Sequence, residues 1–390
     1  MKLFDVYPLY DIEPTHAYNC TIVDKHNVEY LDLYGGHAVI SIGHAHPHYI
    51  KSIKNQLDNL GFYSNAVQNK LQQRLAKKLG ELSGYSQYQL FLCNSGAEAN
   101  ENALKLASFH TNKARIIAFT NGFHGRTSAA VSVTDNATII APLNKQHDVT
   151  LLPLNQIGLV EEELKKGDVC AVIIEPIQGV GGLDQGTSQF FKALDKACKA
   201  NNVLLILDEV QAGYGRTGKF FAHQHHGITP DIISVAKGMG NGFPMGGILI
   251  APHIQASHGL LGTTFGGNHL ACAAGIAVLE VIEEENLLKN AKKMGRYFKQ
   301  QIESIEQVHQ VKGRGLMLGL QFEFEVSSLR KALLYKYHIF TGAAKNPRVL
   351  RILPPLTITK LDIDIFIKAL RLELAERNMS EPVKTKVSLT

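Results

Sequence analysis

The sequence predicts an α/β protein whose larger domain is built on a mostly parallel central sheet. Between residues 85 and 250, short apolar runs alternate with segments of helical periodicity. Strands that alternate with helices form crossover units, and these place helices on both faces of a parallel sheet. The chain has 390 residues, 45% of them hydrophobic, which is ample for a large core. In such sheets ligands bind at the carboxyl ends of the strands, so we expect the functional site there.

Six strands and two helices are predicted in this central region. The predicted strands are Gln89–Cys93, Arg115–Phe119, Val169–Ile174, Val203–Leu207, Ile232–Val235 and Gly247–Ile250. The two predicted helices are Ala97–His110 and Gln189–Ala200. Their order along the chain fits the alternation expected of crossover units.

The pattern changes towards both ends of the chain. After about residue 268, a long helical stretch, Ala271–Ile305, precedes a strand-like run, Leu316–Phe324, and a final helix near Leu361–Arg377. The first 45 residues form a short, partly stranded unit. We therefore predict that residues 1–45 and 268–390 build a smaller α+β domain, the latter including an interdomain helix, and that residues 46–267 form the large domain.

The composition narrows the class of protein. No run approaches the roughly 18–20 apolar residues of a membrane span, and the first ten residues do not resemble a signal peptide. The net charge of +5 comes from 40 basic and 35 acidic residues mixed along the chain, unlike a nucleic-acid-binding patch. The five cysteines form no CxxC pair, and the cluster of His223, His225 and His226 lacks a carboxylate at ligand spacing. We expect a cytoplasmic protein without a membrane, nucleic-acid or metal partner.

The first motif with chemical meaning is "LFLCNSGAEANENALKLAS". A predicted strand ends at Cys93, and Ser95 and Glu98 form an S-x-x-E capping box at the start of the next helix. Gly96 allows close approach of a ligand. The exposed N–H groups and the positive end of the helix dipole suit a phosphate. The alternative is a well-capped helix without a ligand.

The second motif, "VLLILDEVQAGYGRTG", places Asp208 and Glu209 at the carboxyl end of a buried strand. A buried carboxylate is unfavourable unless a positive group compensates it. That group is either an arginine of the chain, such as Arg216, or a cation on a ligand.

The third motif, "DIISVAKGMGNGFPMGG", ends a buried strand on Lys237 and surrounds this lysine with glycines. Burial lowers the pKa of a lysine, and a neutral lysine attacks aldehydes to form a Schiff base. A structural ion pair is the alternative for a single lysine. Taken together, a helix start suited to phosphate, a buried Asp208 and a buried Lys237 match the phosphate, ring nitrogen and aldehyde of pyridoxal phosphate.

The sequence resembles the class III aminotransferases, which belong to the fold-type-I pyridoxal-phosphate enzymes, and within them the acetylornithine group most closely. The resemblance covers nearly the whole chain. It rests on the motifs "YLDLYGGHAVISIGHAHP", "CNSGAEANENALKLA", "GFHGRTSAAVSVT", "IIEPIQGVGG", "LDEVQAGYGRTG", "AKGMGNGFPMGG", "GTTFGGNHLACAA" and "RILPPLTI". The most specific of them are LDEVQxGxGRTG and AKG.

The resemblance implies a role for each residue of a cofactor site. Lys237 would form the Schiff base with pyridoxal phosphate, Asp208 would pair with the pyridine nitrogen, and Gln211 would reach the phenolic oxygen. Val210 and Phe123 would pack on the two faces of the ring. The phosphate would be held by Ser95, Gly96 and Ala97, and by Thr264 of a neighbouring subunit, with Thr263 beside it. A homodimer with shared active sites follows from this arrangement.

Two arginines match the carboxylate-binding arginines of the family. Arg126 would hold the substrate carboxylate far from the reacting amine, and Arg351 would hold the α-carboxylate of glutamate, because a guanidinium binds a carboxylate through two parallel hydrogen bonds. Val180 stands where many relatives have a glutamate that pairs with the arginine at position 351. Either another acid replaces this glutamate, or Arg351 stays available. His37 also stands where an apolar residue is usual.

The implied reaction is transfer of the δ-amino group of N2-acetylornithine or N2-succinylornithine to 2-oxoglutarate, in arginine biosynthesis. The products are the N-acyl-glutamate 5-semialdehyde and glutamate. Alternatives within the class are an ornithine or a 4-aminobutyrate aminotransferase. A mutase, isomerase or decarboxylase of the same fold would need no keto-acid acceptor, and a protein that had lost catalysis would be expected to lack Lys237 or Asp208.

Overall fold

The computed structural model describes residues 1–380, which contain three β-sheets, eleven α-helical segments and four short 3-10 helices. The strands are β1 (Pro14–Tyr18), β2 (Thr21–Asp24), β3 (Glu29–Asp32), β4 (Gln89–Cys93), β5 (Arg115–Phe119), β6 (Val149–Leu152), β7 (Val169–Ile174), β8 (Leu204–Asp208), β9 (Ile232–Val235), β10 (Gly246–Ile250), β11 (Gln310–Arg314), β12 (Met317–Gln321), β13 (Ile339–Phe340), β14 (Gly342–Ala343) and β15 (Val349–Ile352). The helical segments are α1 (Gly35–Ala38), α2 (Pro47–Asn59), α3 (Lys70–Ser83), α4 (Gly96–Thr111), α5 (Ser128–Ser132), α6 (Ile157–Leu164), α7 (Ser188–Ala200), α8 (His269–Glu284), α9 (Leu287–Glu303), α10 (Ser327–Tyr335) and α11 (Lys360–Ser380).

The central sheet has seven strands in the order β4-β10-β9-β8-β7-β5-β6. Strands β6, β5, β7, β8 and β9 pair in parallel, whereas β10 is antiparallel to both β4 and β9. This confirms the predicted α/β class and the mostly parallel sheet. The edge strand β6 was not predicted, because its four residues are mostly not buried and therefore lack a continuous apolar run.

The two faces of this sheet pack against different helices. Along β5, Ile116 and Ala118 belong to one apolar cluster, which includes residues of α4. Ile117 and Phe119 belong to another cluster, which includes residues of α6 and α7. This alternation follows from the two-residue period of a strand. Because both faces are covered by helices, these strands read as continuous apolar runs in the sequence.

The helices α4 and α7 begin one residue before the predicted positions. Ser95 and Thr187 are their N-caps, and each side-chain oxygen accepts a hydrogen bond from a backbone N–H of the first turn. Each cap satisfies one of the N–H groups that a helix start leaves free. The cap of α4 sets the position of the candidate active site.

The predicted long helix Ala271–Ile305 consists of two helices, α8 and α9. The break lies at Asn286, whose φ of 53° places it in the left-handed region that asparagine tolerates. The strand-like run after residue 316 contains β12, which pairs with β11 in a second sheet of order β11-β12-β15-β14. Strand β11, "QVKGR", is not an apolar run, which is why its sequence did not indicate a strand.

The third sheet joins the two ends of the chain. Its order is β1-β2-β3-β13, and β13 pairs in parallel with β3 although the two strands lie about three hundred residues apart in the sequence. Residues near the N-terminus and residues after 338 therefore share one sheet, as a smaller domain built from both ends would require. The boundaries at residues 45 and 267 stay a prediction. No helix of residues 1–380 is long and apolar enough to cross a membrane.

Candidate active site

A cavity of about 390 Å³ opens at the carboxyl-terminal edge of the central sheet, where the sequence predicted a site. Residues that follow β4, β5, β7, β8 and β9 line it. Among the predicted site residues, the cavity brings together Ser95, Gly96, Ala97, Phe123, Arg126, Asp208, Val210, Gln211 and Lys237. The remaining three, Thr263, Thr264 and Arg351, are not among its lining residues.

Lys237 lies directly after β9, in a single helical turn, Lys237–Met239. Its φ is 48°, a left-handed conformation that is unfavourable for a residue with a side chain. The lysine side chain has no hydrogen-bond or ion-pair partner within residues 1–380. Burial lowers the pKa of Lys237, although the nearby carboxylates of Asp208 and Glu175 oppose this effect. The geometry therefore presents an unpaired amine, biased towards its neutral form, at the cavity wall.

Asp208 ends β8 and is 4% exposed. Its Oδ2 atom accepts hydrogen bonds from Asn100 Nδ2 and His124 Nδ1, both at 2.8 Å. Its Oδ1 atom accepts one from the backbone N–H of Val210 at 3.0 Å and retains capacity for another donor. The expected alternative partner, Arg216, instead donates to the backbone oxygens of Leu316 and Pro354.

His124 and Glu175 extend this buried network, and neither was identified from the sequence. Burial alone would lower the pKa of His124, but the hydrogen bond to Asp208 and the negative charges of Asp208 and Glu175 together outweigh it, so the pKa is raised. Glu175 follows β7, and burial raises its pKa to about 7. Its carboxylate accepts the N–H groups of Phe123 at 2.9 Å and Gly179 at 2.8 Å. An acid directly after a buried strand was the signal that identified Asp208, and it applies equally to Glu175.

Glu209, the second acid of the Asp208–Glu209 pair, points away from the cavity. Its carboxylate accepts hydrogen bonds from His223 Nδ1 at 2.7 Å and from the N–H groups of Ala222 and His223. Tyr85 contacts the other ring nitrogen of His223 at 2.6 Å. This buried cluster is structural, and it accounts for one member of the histidine group seen in the sequence. Residues 1–380 contain no group of three or more His, Cys, Asp or Glu side chains that could hold a metal ion.

The start of α4 forms one wall of the cavity. Ser95 Oγ accepts the N–H of Glu98 at 3.1 Å, as the capping motif predicted. Glu98 reaches back to the N–H of Asn94, one residue before the position expected for a capping box. The N–H groups of Gly96 and Ala97 lie in the first helical turn and have no partner within the helix. A Cβ atom at Gly96 would lie 2.6 Å from Val210, so only glycine permits this approach.

Gln211 leaves a buried acceptor without a partner. Its Nε2 donates to the backbone oxygen of His37 at 3.2 Å. Its Oε1 is buried and has no hydrogen-bond partner among residues 1–380. An orphaned oxygen of this kind is unfavourable unless a ligand donates to it. Phe123 and Val210, both partly buried, supply apolar surface to the same cavity.

The two predicted substrate arginines occupy different surroundings. Arg126 is exposed, lines the cavity, and has no ion-pair partner within residues 1–380. Arg351 on β15 is only 4% exposed. It donates to the backbone oxygens of Ala343 and Gly179 and to the Tyr34 hydroxyl. In the described part of the chain no acid therefore replaces the glutamate that Val180 lacks, and Arg351 is held by neutral oxygens.

The two threonines lie outside the cavity of their own chain. Thr263 Oγ1 accepts the N–H of Gly266 at 3.1 Å, and it lines a separate cavity with Asn65 and Gln72. Thr264 is exposed. Asn94 connects the two regions, because it lines the main cavity and its Nδ2 lies 3.4 Å from Thr263 Oγ1.

These residues fit the separate parts of pyridoxal phosphate. The unpaired Lys237 amine suits the aldehyde, and Asp208 Oδ1 suits the ring N–H. The free N–H groups of Gly96 and Ala97 suit the phosphate, and Gln211 Oε1 can accept the phenolic O–H. The fold and the site together define a pyridoxal-phosphate-dependent enzyme of fold type I.

Comparison with known proteins identifies the family. The model of the class III aminotransferases matches residues 6–374. An acetylornithine aminotransferase of Bacillus subtilis is 38% identical over 383 residues, which cover 97% of this chain and 98% of the relative. One of Corynebacterium efficiens is 39% identical over 393 residues, with 96% of each chain covered. The chain belongs to the class III aminotransferases, which makes it a pyridoxal-phosphate-dependent transaminase.

A solved structure supports the same assignment of fold. The ornithine aminotransferase of Toxoplasma gondii, crystallised with oxidised glutathione, matches with a TM-score of 0.87 and 28% identity. The match covers 95% of this chain and 92% of the other. That crystal structure is described as having partial occupancy of pyridoxal phosphate at its active site.

Proposed function

We propose that this protein transfers the δ-amino group of N2-acetylornithine to 2-oxoglutarate, giving N-acetylglutamate 5-semialdehyde and glutamate, in arginine biosynthesis. The observation that carries this proposal is the 38–39% identity, over almost the whole chain, to relatives named acetylornithine aminotransferase. N2-Succinylornithine is the alternative donor, because nothing in the cavity distinguishes the two acyl groups.

Lys237 is the residue that we propose to hold the cofactor, through a covalent link between Nζ and the aldehyde carbon. When bound, pyridoxal phosphate supplies that aldehyde and a ring that withdraws electrons from the substrate carbon. At the cavity wall, the Nζ atom of Lys237 would accept a proton from the substrate carbon that bears the reacting amine. Burial favours this role, because it biases Lys237 towards the neutral form.

Asp208 keeps the proposed cofactor ring protonated at its nitrogen. Its Oδ2 atom is already occupied by Asn100 and His124, so the carboxylate is fixed with Oδ1 available. His124 and Asn100 are therefore positioning residues that act through Asp208. Val210 and Phe123 are proposed to hold the two faces of the ring and to exclude water from it.

The phosphate is proposed to bind at the start of α4. The first-turn N–H groups of Gly96 and Ala97 and the Ser95 hydroxyl would donate to it, and the helix dipole favours a negative charge there. We further propose a homodimer in which Thr264 of one subunit reaches the phosphate of the other. The exposure of Thr264 outside its own cavity is compatible with this arrangement. The cytoplasmic location expected from the sequence stays a prediction.

The two arginines give the proposed site an anchor for each end of the substrates. Arg126 has no acidic partner in residues 1–380 and lines the cavity, so it is available for the carboxylate remote from the reacting amine. Arg351 would take the α-carboxylate of glutamate or 2-oxoglutarate. A reaction between two different carboxylate substrates needs both anchors, whereas a mutase, isomerase or decarboxylase handles a single substrate.

Ornithine δ-transamination is the second candidate, because the fold matches an ornithine aminotransferase over 95% of this chain. The decisive experiment measures kcat/KM for N2-acetylornithine, N2-succinylornithine, ornithine and 4-aminobutyrate side by side, with 2-oxoglutarate as acceptor. We expect an acylated ornithine to be the best donor. A preference for free ornithine would reassign the donor, and turnover without any keto acid would reject transamination.

A further inference from the structure

Arg351 is a buried cation without a buried anion. Its side chain bonds to the backbone oxygens of Ala343 and Gly179 and to the hydroxyl of Tyr34, and no ion pair reaches it within residues 1–380. A guanidinium has five N–H donors, so these three bonds leave two unused. Burial lowers the pKa of Arg351, which reflects the unfavourable removal of its charge from water. Such a group gains more from a carboxylate than from a neutral oxygen.

Tyr34 covers this arginine. Its hydroxyl oxygen lies 3.1 Å from Arg351 Nη2, and its ring centre is 5.6 Å from the guanidinium carbon. The ring fits only because residue 342 has no side chain, since a Cβ atom on Gly342 would lie 2.3 Å from Tyr34 Cε2. Gly342 is also the β14 residue directly opposite Arg351 in the sheet. The second sheet therefore contains a fitted place for this tyrosine beside the arginine.

The direction of the hydrogen bonds is determined by the arginine. Because Arg351 can only donate, the Tyr34 oxygen accepts from it, and the Tyr34 O–H is free to donate to His37 Nδ1, which it contacts. This requires His37 to be unprotonated at Nδ1. Burial, Arg351 and Lys237 lower the pKa of His37, in agreement with a neutral ring. Arg351, Tyr34 and His37 thus form a hydrogen-bonded relay. Arg351 donates to the Tyr34 hydroxyl oxygen, and the Tyr34 hydroxyl donates to His37 Nδ1.

The relay rests on a strained segment of chain. Four consecutive residues, Gly35 to Ala38, have φ values of 56°, 54°, 69° and 63°. A left-handed turn is easy for the two glycines but costly for His37 and Ala38. The backbone oxygen of His37 accepts Gln211 Nε2 at the cavity wall. Strain in a segment that connects the cavity to an arginine is typical of an element that moves during function.

We propose that the Tyr34 hydroxyl is a displaceable cap on Arg351, positioned by His37, that holds the guanidinium until a substrate α-carboxylate replaces it. This proposal rests on the function proposed above and assigns Tyr34 a part in substrate choice. A donor that presents only its amine end, such as N2-acetylornithine, leaves the cap in place. Glutamate and 2-oxoglutarate must displace the Tyr34 hydroxyl before they bind Arg351. Their apparent dissociation constants are therefore raised in inverse proportion to the fraction of enzyme molecules in which Arg351 is uncapped.

The test compares wild type with Tyr34→Phe, which keeps the ring and removes the hydroxyl. Glutarate is the probe, because it has two carboxylates but neither an amine nor a keto group and cannot react. Calorimetric titration of the holoenzyme is expected to show roughly tenfold tighter glutarate binding in Tyr34→Phe, as follows from the loss of a competing hydrogen bond to a charged group. The KM for glutamate should fall in parallel, with little change in the KM for N2-acetylornithine.

His37→Gly tests the positioning role, since glycine accepts the left-handed conformation and the imidazole is removed. We expect a smaller change in the same direction, and no further change when it is combined with Tyr34→Phe. Tyr18→Phe, which removes an exposed hydroxyl bonded to Glu29, is the control. Unchanged or weaker glutarate binding in Tyr34→Phe would overturn the cap. Glutarate binding involves no turnover, so it tests the Tyr34 cap independently of the amine donor. If the wild-type enzyme preferred another donor, the proposed function would be wrong, but the cap would still be judged by glutarate binding alone.

Discussion

The Oδ2 atom of Asp208 and the Nδ1 atom of His124 lie 2.8 Å apart in a hydrogen bond that is almost fully buried at the cavity wall. We expect His124→Leu to weaken cofactor binding and to lower kcat by about tenfold or more, because removing a buried partner of a charged group costs about 1–3 kcal/mol. Absorbance titration with pyridoxal phosphate and steady-state kinetics measure both effects.

The control for this variant is His223→Leu, which breaks a comparable buried bond to Glu209 outside the cavity. It should lower the free energy of unfolding without changing the dissociation constant of the cofactor. If both variants reduced cofactor affinity equally, His124 would not act through Asp208.

Replacement of Lys237 tests the proposed covalent link. Borohydride reduction of the yellow holoenzyme should bleach it and add the mass of reduced cofactor to the peptide that contains Lys237. Lys237→Ala should show neither the mass increase nor transaminase activity, whereas Lys219→Ala, which changes an exposed lysine, should show both. Cofactor found on another lysine in the wild-type enzyme would remove Lys237 from its proposed role.

Subunit mixing tests whether the sites are shared. Lys237→Ala is inactive in its own site, and Thr264→Asp should repel the phosphate of the partner's cofactor. If Thr264 serves the partner, a mixed dimer contains one site with both defects and one intact site, so activity should return on mixing. Activity that stays absent after confirmed subunit exchange would place Thr264 in the site of its own chain. A Thr264→Asp homodimer that is fully active by itself would place Thr264 outside both sites.

Val180→Glu places an acid on the cavity wall near Gly179, whose backbone oxygen bonds to Arg351. An ion pair with Arg351 would compete with the substrate α-carboxylate, so the KM for glutamate should rise relative to that for N2-acetylornithine, by about tenfold for one charged hydrogen bond. Val180→Gln has the same length without the charge and is the matched control. An unchanged ratio of the two activities would remove Val180 from the account of specificity.

The buried Glu175 predicts a pH dependence of stability. Burial favours the protonated form of Glu175 and raises its pKa in the folded protein from the ordinary value of 4.5 to about 7. The folded state therefore binds this proton more tightly than the unfolded state does. The contribution to the free energy of unfolding is complete below about pH 4.5 and is lost as the pH rises through about 7. Between these two pH values, Glu175→Gln should gain up to about 3 kcal/mol of unfolding free energy relative to wild type. Urea unfolding of the apoenzyme at several pH values measures this difference. A difference that is constant with pH would show that Glu175 is not held in its neutral form.

The sequence predicted the features that local patterns determine. Apolar runs and caps located the six strands and both helices of the central region, and Lys237 and Asp208 followed from their positions at strand ends. Two edge strands were missed: β6 has only four residues, with Thr150 interrupting its apolar run, and β11 has few apolar side chains. The relay of Arg351, Tyr34 and His37 joins residues more than three hundred positions apart, and the pairing of β13 with β3 that brings the chain ends together leaves no periodic signal.

The antiparallel pairing of β10 with β9 has a mechanical consequence for Lys237. The ten residues from 236 to 245 connect the end of β9 to the start of β10, and Val235 lies opposite Gly247 in this strand pair. Both ends of the segment are therefore fixed next to each other in the sheet. Its backbone has little freedom to follow a substrate. Movement of Lys237 Nζ towards and away from the reacting carbon must therefore come from rotation about the bonds of the four methylene groups in its side chain.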